Sequence, residues 1–77
     1  MTTILPLGLL DKAISSRVWI LMKDDREFEG SLRGFDDFFN MVLENVIELD
    51  NGKKSKLESI LLNGSQICLI VPGGEIS

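Results

Sequence analysis

The sequence predicts a small, mostly β domain in which an N-terminal α-helix precedes a five-stranded, strongly bent antiparallel sheet. Three observations predict this class. The pattern changes from helical spacing to a period of two at Arg17. Turn-forming dipeptides separate the alternating segments. Gly30 and Gly34 fall on one face of a single strand, where they allow a sharp bend and a small open barrel. With 77 residues, the chain is expected to form one domain over residues 1–77.

The helix is predicted from a proline followed by an apolar stripe. Pro6 suits the first helical position, because the N–H that it lacks would have no partner there. Leu7, Leu10 and Ile14 follow at helical spacing. Gly8 costs this helix about 1 kcal/mol relative to alanine. So short a helix therefore needs to dock on the sheet.

Five segments after the helix are predicted to be strands. The first begins at Arg17 and the second covers residues 27–34, with a polar reversal over Lys23–Arg26 between them. The predicted third, fourth and fifth strands are Asn40–Leu49, Lys56–Leu62 and Gln66–Val71. Asp50-Asn51-Gly52 predicts a tight turn, and Asn63-Gly64 predicts a second one, of type I′. Pro72 ends the last strand.

Composition excludes several classes of protein. The chain has one cysteine and no histidine, so neither a disulfide nor a zinc-type ligand set is expected. It contains no apolar segment of membrane-spanning length and no signal segment, which indicates a cytosolic or nuclear protein without a membrane partner. Cys68 lies in an apolar strand and is expected to be an inert core thiol.

The charge balance argues against an autonomous nucleic-acid binder. The net charge is −4 and the pI is near 4.6, whereas such binders usually carry a basic face. Two alternatives remain open on charge alone. Either the chain does not contact nucleic acid, or it binds bases locally while neighbouring chains supply the positive field.

The last two strands are apolar enough to suggest self-association. Ile60–Leu62 is a continuous apolar run, and Ile67–Val71 is nearly so. Unprotected apolar edge strands tend to pair with another chain, and a donor edge and an acceptor edge on each subunit can close a head-to-tail ring. The alternative is that the helix covers the edge.

The segment 34–45 carries the strongest functional signal. A turn that only reverses the chain needs glycine, asparagine or aspartate, yet Phe38 and Phe39 stand here beside Asn40. An aromatic side chain next to a short amide suits a site that stacks a base and hydrogen-bonds its edge. The alternative is that each phenylalanine folds back into the core.

An enzyme is not predicted. Asp24-Asp25 and Asp36-Asp37 provide adjacent carboxylates, but polar turns use aspartate for local hydrogen bonds. The sequence offers no nucleophile beside a base and no phosphate-binding glycine loop. No catalytic residue, metal, cofactor or small-molecule substrate is therefore expected.

Two motifs resemble the signatures of the Sm and Sm-like (LSm) proteins. The first is Gly30-x-Leu32-x-Gly34-Phe35-Asp36-x-Phe38-x-Asn40-Met41-Val42-Leu43, followed by Glu48, and the second is Ile60-Leu61-Leu62-Asn63-Gly64-Ser65-Gln66-Ile67. The resemblance covers nearly the whole chain. It implies the Sm fold and a ring of seven subunits joined through the fourth and fifth strands. It also implies binding of single-stranded, uridine-rich RNA around the central pore.

The resemblance assigns roles to individual residues. Phe38 matches the position that stacks on a base, Asn40 matches the amide that hydrogen-bonds its edge, and Asp36 matches the carboxylate that orients this amide. Gly64 matches the glycine of the second-signature turn, and Phe39 is expected to pack in the loop. Many family members carry arginine at position 63, so Asn63 is either a weak RNA contact or only a turn residue.

For eukaryotic members, the resemblance implies two mixed rings. A nuclear ring binds the oligo-uridine 3′ end of a spliceosomal small RNA, and a cytoplasmic ring binds the 3′ ends of deadenylated mRNAs and promotes decapping and decay. Two alternatives remain, a structural ring or protein–protein module without base contact, and a homomeric ring. The acidic pI argues against the homomeric ring, because every site would repeat the missing positive charge.

Overall fold

Five antiparallel strands form one continuous sheet in the computed structural model, which describes residues 7–74. The elements in chain order are α1 (Leu7–Lys12), β1 (Arg17–Met22), β2 (Glu27–Phe35), β3 (Met41–Asp50), β4 (Lys53–Leu62), a short 3₁₀ helix (Gly64–Gln66) and β5 (Ile67–Pro72). The strands are arranged β4-β3-β2-β1-β5. The predicted fold class is confirmed, while the proposed role of Pro6 lies outside the described residues.

Helix α1 and the residues that follow it contribute apolar side chains to the core. Leu10 and Ala13 are buried in the core, and Ile14 packs against it. The chain then turns through Ser15, whose N–H donates to the carbonyl of Leu32 in β2 at 2.7 Å. This hydrogen bond continues the β1–β2 ladder and connects the segment after the helix to β2.

The core lies on the inner face of the bent sheet. Alternate residues of β1 and β2 are buried, as the period of two predicts. Gly30 allows β3 to approach closely, because a Cβ at this position would lie 3.0 Å from Val46 Cγ2 and 3.2 Å from the carbonyl oxygen of Glu44. The β2–β3 register shifts on either side of this region, between Glu29 and Ser31 and between Leu32 and Gly34. Such bulges bend a sheet sharply.

The turn between β3 and β4 is the predicted tight reversal. Asn51 and Gly52 form a two-residue loop with φ values of 53° and 82°, which is the backbone that Asn-Gly favours in a hairpin. Strand β4 begins at Lys53, three residues before the predicted start at Lys56. Its first residues are polar on both faces because β4 is an edge strand, so they show no alternation.

Two sequence predictions are wrong. Asn63 is extended (φ −83°, ψ 121°) and begins the 3₁₀ helix, so Asn63-Gly64 is not a type I′ turn. Cys68 is exposed rather than buried, because the β1–β5 register shifts between Leu21 and Met22 and leaves Cys68 as the extra residue.

Both edges of the sheet are available for pairing within the part of the chain that the structure describes. Strand β4 pairs only with β3, and β5 pairs only with β1. Large apolar side chains are exposed on both strands, Leu61 at 74% and Val71 at 37%. Over residues 7–74, no helix has the length and apolar character needed to cross a membrane.

Candidate RNA-binding site

The first part of the site is the loop between β2 and β3, which is stabilised by hydrogen bonds to Asp36. Its Oδ1 accepts the backbone N–H groups of Phe38 at 2.8 Å and Asn40 at 3.1 Å. Its carbonyl oxygen accepts the N–H of Phe39, and its own N–H donates to the carbonyl of Asn40, both at 3.0 Å. A short carboxylate fixes several backbone donors in this way. The loop is therefore held in one conformation.

The amide of Asn40 connects the two signature segments. Its Nδ2 donates to Asp36 Oδ2 at 3.0 Å, which is the predicted contact between these two residues. Its Oδ1 accepts the N–H of Gly64 at 2.8 Å. An amide offers two N–H donors and two acceptor lone pairs, so one N–H and one lone pair remain for a ligand. The edge of uracil presents a complementary donor and acceptors.

The two loop phenylalanines point to different environments. Phe38 is 79% exposed, whereas Phe39 packs against the core. Phe39 has a φ of 63°, a backbone conformation that is uncommon for a bulky residue. The loop therefore accepts backbone strain while it buries one ring and leaves the other in solvent. The alternative in which both rings join the core is wrong for Phe38, and the expected packing of Phe39 is confirmed.

Glycine is required at position 64 because there is no room for a Cβ atom, and not because of the backbone conformation. A Cβ on this residue would lie 2.7 Å from the carbonyl carbon of Phe39 and 2.9 Å from that of Phe38. Real Cβ atoms do not approach backbone atoms this closely. Only glycine lets the second segment approach the loop closely enough to donate its N–H to Asn40.

The side chain of Asn63 is directed at its own turn. Its Oδ1 accepts the N–H of Ser65 at 3.0 Å and the hydroxyl of Ser65 at 2.9 Å. This is an N-cap interaction for the 3₁₀ helix. The structure thus brings Asp36, Phe38, Asn40 and Gly64 into one constellation with Asn63 at its border, and an RNA contact by Asn63 stays a prediction.

Sequence reasoning did not identify Ser65, nor the hydrogen bond between Asn40 and Gly64. The Ser65 contact is local and follows the Asn-x-Ser spacing, so an N-cap signal was present at positions 63–65. The second contact joins residues 24 positions apart, and no local pattern indicates it.

The electrostatics of the loop favour an ionised Asp36. The hydrogen bond from the Asn40 side chain is the largest effect that holds the pKa of this carboxyl below its ordinary value, and the N–H groups of Phe38 and Asn40 act in the same direction. Partial desolvation opposes them. Asp36 is therefore an acceptor for the loop at neutral pH.

Each of the three arginines is paired with a carboxylate group. Arg17 pairs with Glu29, Arg33 pairs with Glu44, and Arg26 bridges Asp24 and Glu48, all at N–O distances of 2.7–3.3 Å. Asp24 and Asp36 each precede a second aspartate in the sequence. Both carboxylates accept hydrogen bonds from nearby backbone N–H groups. Residues 7–74 contain no cluster of three or more side chains suited to a metal ion.

The fold and the site define a member of the Sm-like class, and comparison with known proteins shows the family. The chain belongs to the LSM domain family, whose family model matches residues 8–72. Among curated relatives, it is 53% identical over 76 residues to a probable U6 snRNA-associated Sm-like protein, LSm5, of Dictyostelium discoideum. That match covers 94% of this chain and 78% of the relative.

Solved structures show the same fold. A heptameric archaeal Sm protein has a TM-score of 0.79 and 29% identity, with 84% of this chain and 96% of that chain covered. A Pyrococcus abyssii Sm protein in complex with a uridine heptamer has a TM-score of 0.82 and 26% identity, with 90% and 99% covered. The predicted Sm fold is therefore confirmed.

Proposed function

We propose that this chain is an RNA-binding subunit of a mixed, seven-membered LSm ring that binds uridine-rich 3′ ends. The proposal rests on one observation. The exposed ring of Phe38 lies beside the side-chain amide of Asn40, which has one N–H and one oxygen lone pair left for a ligand. The ring provides a stacking surface, and the amide provides a donor and an acceptor at a fixed orientation. A uridine heptamer on a related Sm protein supports this choice of ligand.

Asp36 and Gly64 position Asn40, and neither residue needs to contact the base itself. Asp36 accepts one N–H of the amide, and the backbone N–H of Gly64 occupies one lone pair of its oxygen. Both interactions are made before RNA arrives, so little rotational freedom of the amide is lost on binding. Preorganisation of this kind increases affinity.

The ring is proposed to form through the two free edges. Strand β4 of one subunit pairs with β5 of the next, which covers the exposed Leu61 and Val71. A heptameric ring of a related archaeal protein supports the number of subunits. We favour a mixed ring, because all three arginines are engaged in ion pairs and the net charge is −4. Neighbouring subunits would supply the positive field.

Two cellular roles follow for such a subunit, one in pre-mRNA splicing and one in mRNA decapping and decay. The nuclear role is supported by the relative whose name associates it with U6 snRNA. The cytoplasmic role rests on the resemblance to eukaryotic LSm rings. The chain is accordingly assigned to the nucleus and the cytoplasm, with no catalytic step of its own.

The test is ring assembly and RNA capture by native mass spectrometry, with Phe38→Ala compared with Phe39→Ala. The chain is mixed with other LSm subunits and an oligo-uridine strand. Phe38→Ala should leave ring formation intact and weaken RNA binding roughly 5- to 150-fold, because stacking contributes about 1–3 kcal/mol per base. Phe39→Ala should instead lower the free energy of unfolding by about 1–3 kcal/mol, since its ring packs on the core.

A second function is favoured by one observation, the use of the Asn63 amide oxygen within its own turn. With that side chain engaged, the base would be covered on one face only, and the subunit would then act as a structural ring segment. Unchanged RNA affinity in the Phe38→Ala ring would establish this second function and overturn the first. Failure of the wild-type chain to enter any ring would overturn both.

A further inference from the structure

The chain contains two Asn-Gly dipeptides, Asn51-Gly52 and Asn63-Gly64, in opposite environments. This dipeptide is chemically labile, because glycine has no Cβ to hinder attack by its backbone nitrogen on the asparagine side chain. We propose that Asn51 is a site of spontaneous deamidation in the folded protein and that the hydrogen bonds around the candidate RNA site protect Asn63 from the same reaction.

The reaction requires water and no other reagent. The backbone nitrogen of Gly52 attacks Cγ of Asn51, so an N–Cγ bond forms and the Cγ–Nδ2 bond breaks. The released NH2 group takes the proton of the Gly52 amide and leaves as ammonia, which produces a five-membered succinimide. Water then opens the succinimide at one of its two carbonyl carbons. The products are aspartate, or isoaspartate in which the main chain runs through Cγ.

Both reacting groups of Asn51-Gly52 are accessible. The two residues are exposed at the tip of the β3–β4 hairpin, and a Cβ built on Gly52 would have no heavy atom within 4 Å. Among residues 7–74, none accepts a hydrogen bond from the Gly52 N–H or from the Asn51 side chain. Rotation into the attacking geometry therefore disturbs only the turn itself, and hairpin tips of this kind open at low free-energy cost.

Both reacting groups of Asn63-Gly64 are engaged. The attacking nitrogen would be that of Gly64, whose N–H donates to Asn40 Oδ1 at 2.8 Å. The Asn63 side chain, whose Cγ would be attacked, accepts hydrogen bonds at Oδ1 from the N–H and the hydroxyl of Ser65 at 3.0 and 2.9 Å. The reaction must first break these contacts and move Gly64 away from the Phe38–Phe39 backbone, so it requires opening of the whole site.

Asn45 is an internal control that distinguishes the effect of a following glycine on the deamidation rate from the effect of backbone conformation. It is exposed and has a φ of 52°, almost the value of 53° at Asn51. Its successor is Val46, which is β-branched and 1% exposed, so the attacking nitrogen would be crowded and buried. Asn45 should therefore stay intact under conditions in which Asn51 reacts.

Deamidation would change the hairpin chemically. Aspartate adds a negative charge between Asp50 and the neighbouring Lys53 and Lys54 in a chain of net charge −4. Isoaspartate in addition lengthens the main chain by one atom, which a two-residue hairpin loop cannot absorb without distortion.

The experiment is peptide mapping by mass spectrometry after incubation of the purified full-length chain in neutral and mildly alkaline buffer. We expect Asn51 to react about tenfold or more faster than Asn63, a barrier difference of about 1.4 kcal/mol or more. Asn45 should show no conversion. In concentrated denaturant the two Asn-Gly sites should react at similar rates, which shows that folding causes the difference.

A variant tests whether the hydrogen bonds protect Asn63. Asn40→Ala removes the acceptor of the Gly64 N–H and should raise the rate at Asn63 while leaving Asn51 unchanged. If circular dichroism shows that this variant is unfolded, Ser65→Ala is used in its place. Ser65→Ala removes the hydroxyl that donates to Asn63, so a smaller increase in the reaction rate at Asn63 is expected. Equal rates at Asn51 and Asn63 in the folded chain, or an intact Asn51 when both sites react in denaturant, would overturn the proposal.

Discussion

Strand β3 is entered and left through two connections that reverse the chain in different ways. The hairpin turn at Asn51-Gly52 uses two residues and only their backbone conformation. The loop before β3, residues 36–40, is closed by an aspartate carboxylate, by an asparagine amide and by a glycine from a distant segment. It also leaves one phenylalanine 79% exposed.

The difference shows which connection is built for more than chain reversal. A backbone turn is sufficient to join two antiparallel strands, as the hairpin demonstrates. The loop instead accepts a strained φ at Phe39 and the exposure of Phe38, neither of which favours folding. Features that do not stabilise the fold are expected where a ligand binds. The contrast therefore supports a ligand site at residues 36–40.

The largest effect is expected from Gly64→Ala. The new methyl group would collide with the carbonyl carbons of Phe38 and Phe39, so the loop or the 3₁₀ helix must move. Overpacking of this kind costs about 1–3 kcal/mol, and the displacement should also separate Gly64 from Asn40. We expect both a lower free energy of unfolding, measured in urea, and loss of oligo-uridine binding in assembled rings.

Gly52→Ala is the matched control at the other end of β3. It places a side chain at a φ of 82° in open space, so its cost is backbone strain of about 1–2 kcal/mol without any collision. Stability should fall while RNA binding is retained. If Gly52→Ala impaired RNA binding as much as Gly64→Ala, the proposed distinction between the two connections would be lost.

Asn40→Ala should have the next largest effect. It removes the side-chain acceptor of the Gly64 N–H and one of the donors to the Asp36 carboxylate, and an orphaned, part-buried N–H costs about 1–3 kcal/mol. Asn51→Ala, in the hairpin, removes no side-chain hydrogen bond and should cost about 1 kcal/mol through its positive φ. Only Asn40→Ala should weaken RNA binding, as measured by fluorescence anisotropy. Equal loss of binding in both variants would contradict the assignment of Asn40.

The smallest effect is expected from pH. The hydrogen bond from Asn40 lowers the pKa of Asp36 from its ordinary value of 3.8, so the ionised form is favoured in the folded loop. The stabilisation is fully present above this unfolded-state pKa and is lost as pH falls through the lower folded-state pKa. NMR amide signals of Phe38 and Asn40 should stay constant from neutral to mildly acidic pH and change only in stronger acid. Changes in these signals near neutral pH would show that another group controls the loop.

Local sequence patterns predicted most of the fold. The switch to a period of two at Arg17 located β1, clean alternation located β2, and Asp50-Asn51-Gly52 located the hairpin. The sequence does not indicate the start of β4, because residues 53–56 lie at a sheet edge, where both faces contact solvent and alternation is not required. The sequence predicts a buried Cys68 because an apolar run contains no local signal for a β-bulge.

The site was less predictable, because it depends on contacts between distant segments. Phe38 and Phe39 are adjacent and identical, so only the three-dimensional path of the loop determines which ring is buried. Asn63-Gly64 carries a strong turn signal, yet its glycine is needed for a close approach to Phe38 and Phe39. A dipeptide can thus satisfy a tertiary requirement while it matches a local pattern.

The two edges of the sheet differ in length, and in the proposed ring this difference would limit how far the assembly could grow. Strand β4 has 10 residues and β5 has 6, so the proposed β4–β5 junction between subunits would leave four residues of β4 without a counterpart. These four residues span about 13 Å at 3.3 Å per residue. If Ile60–Leu62 carries the junction, the overhang contains Lys53, Lys54 and Lys56, all exposed. Lysines on an unpaired edge repel further strands, so the same strand that recruits one neighbour would discourage fibrous stacking by others.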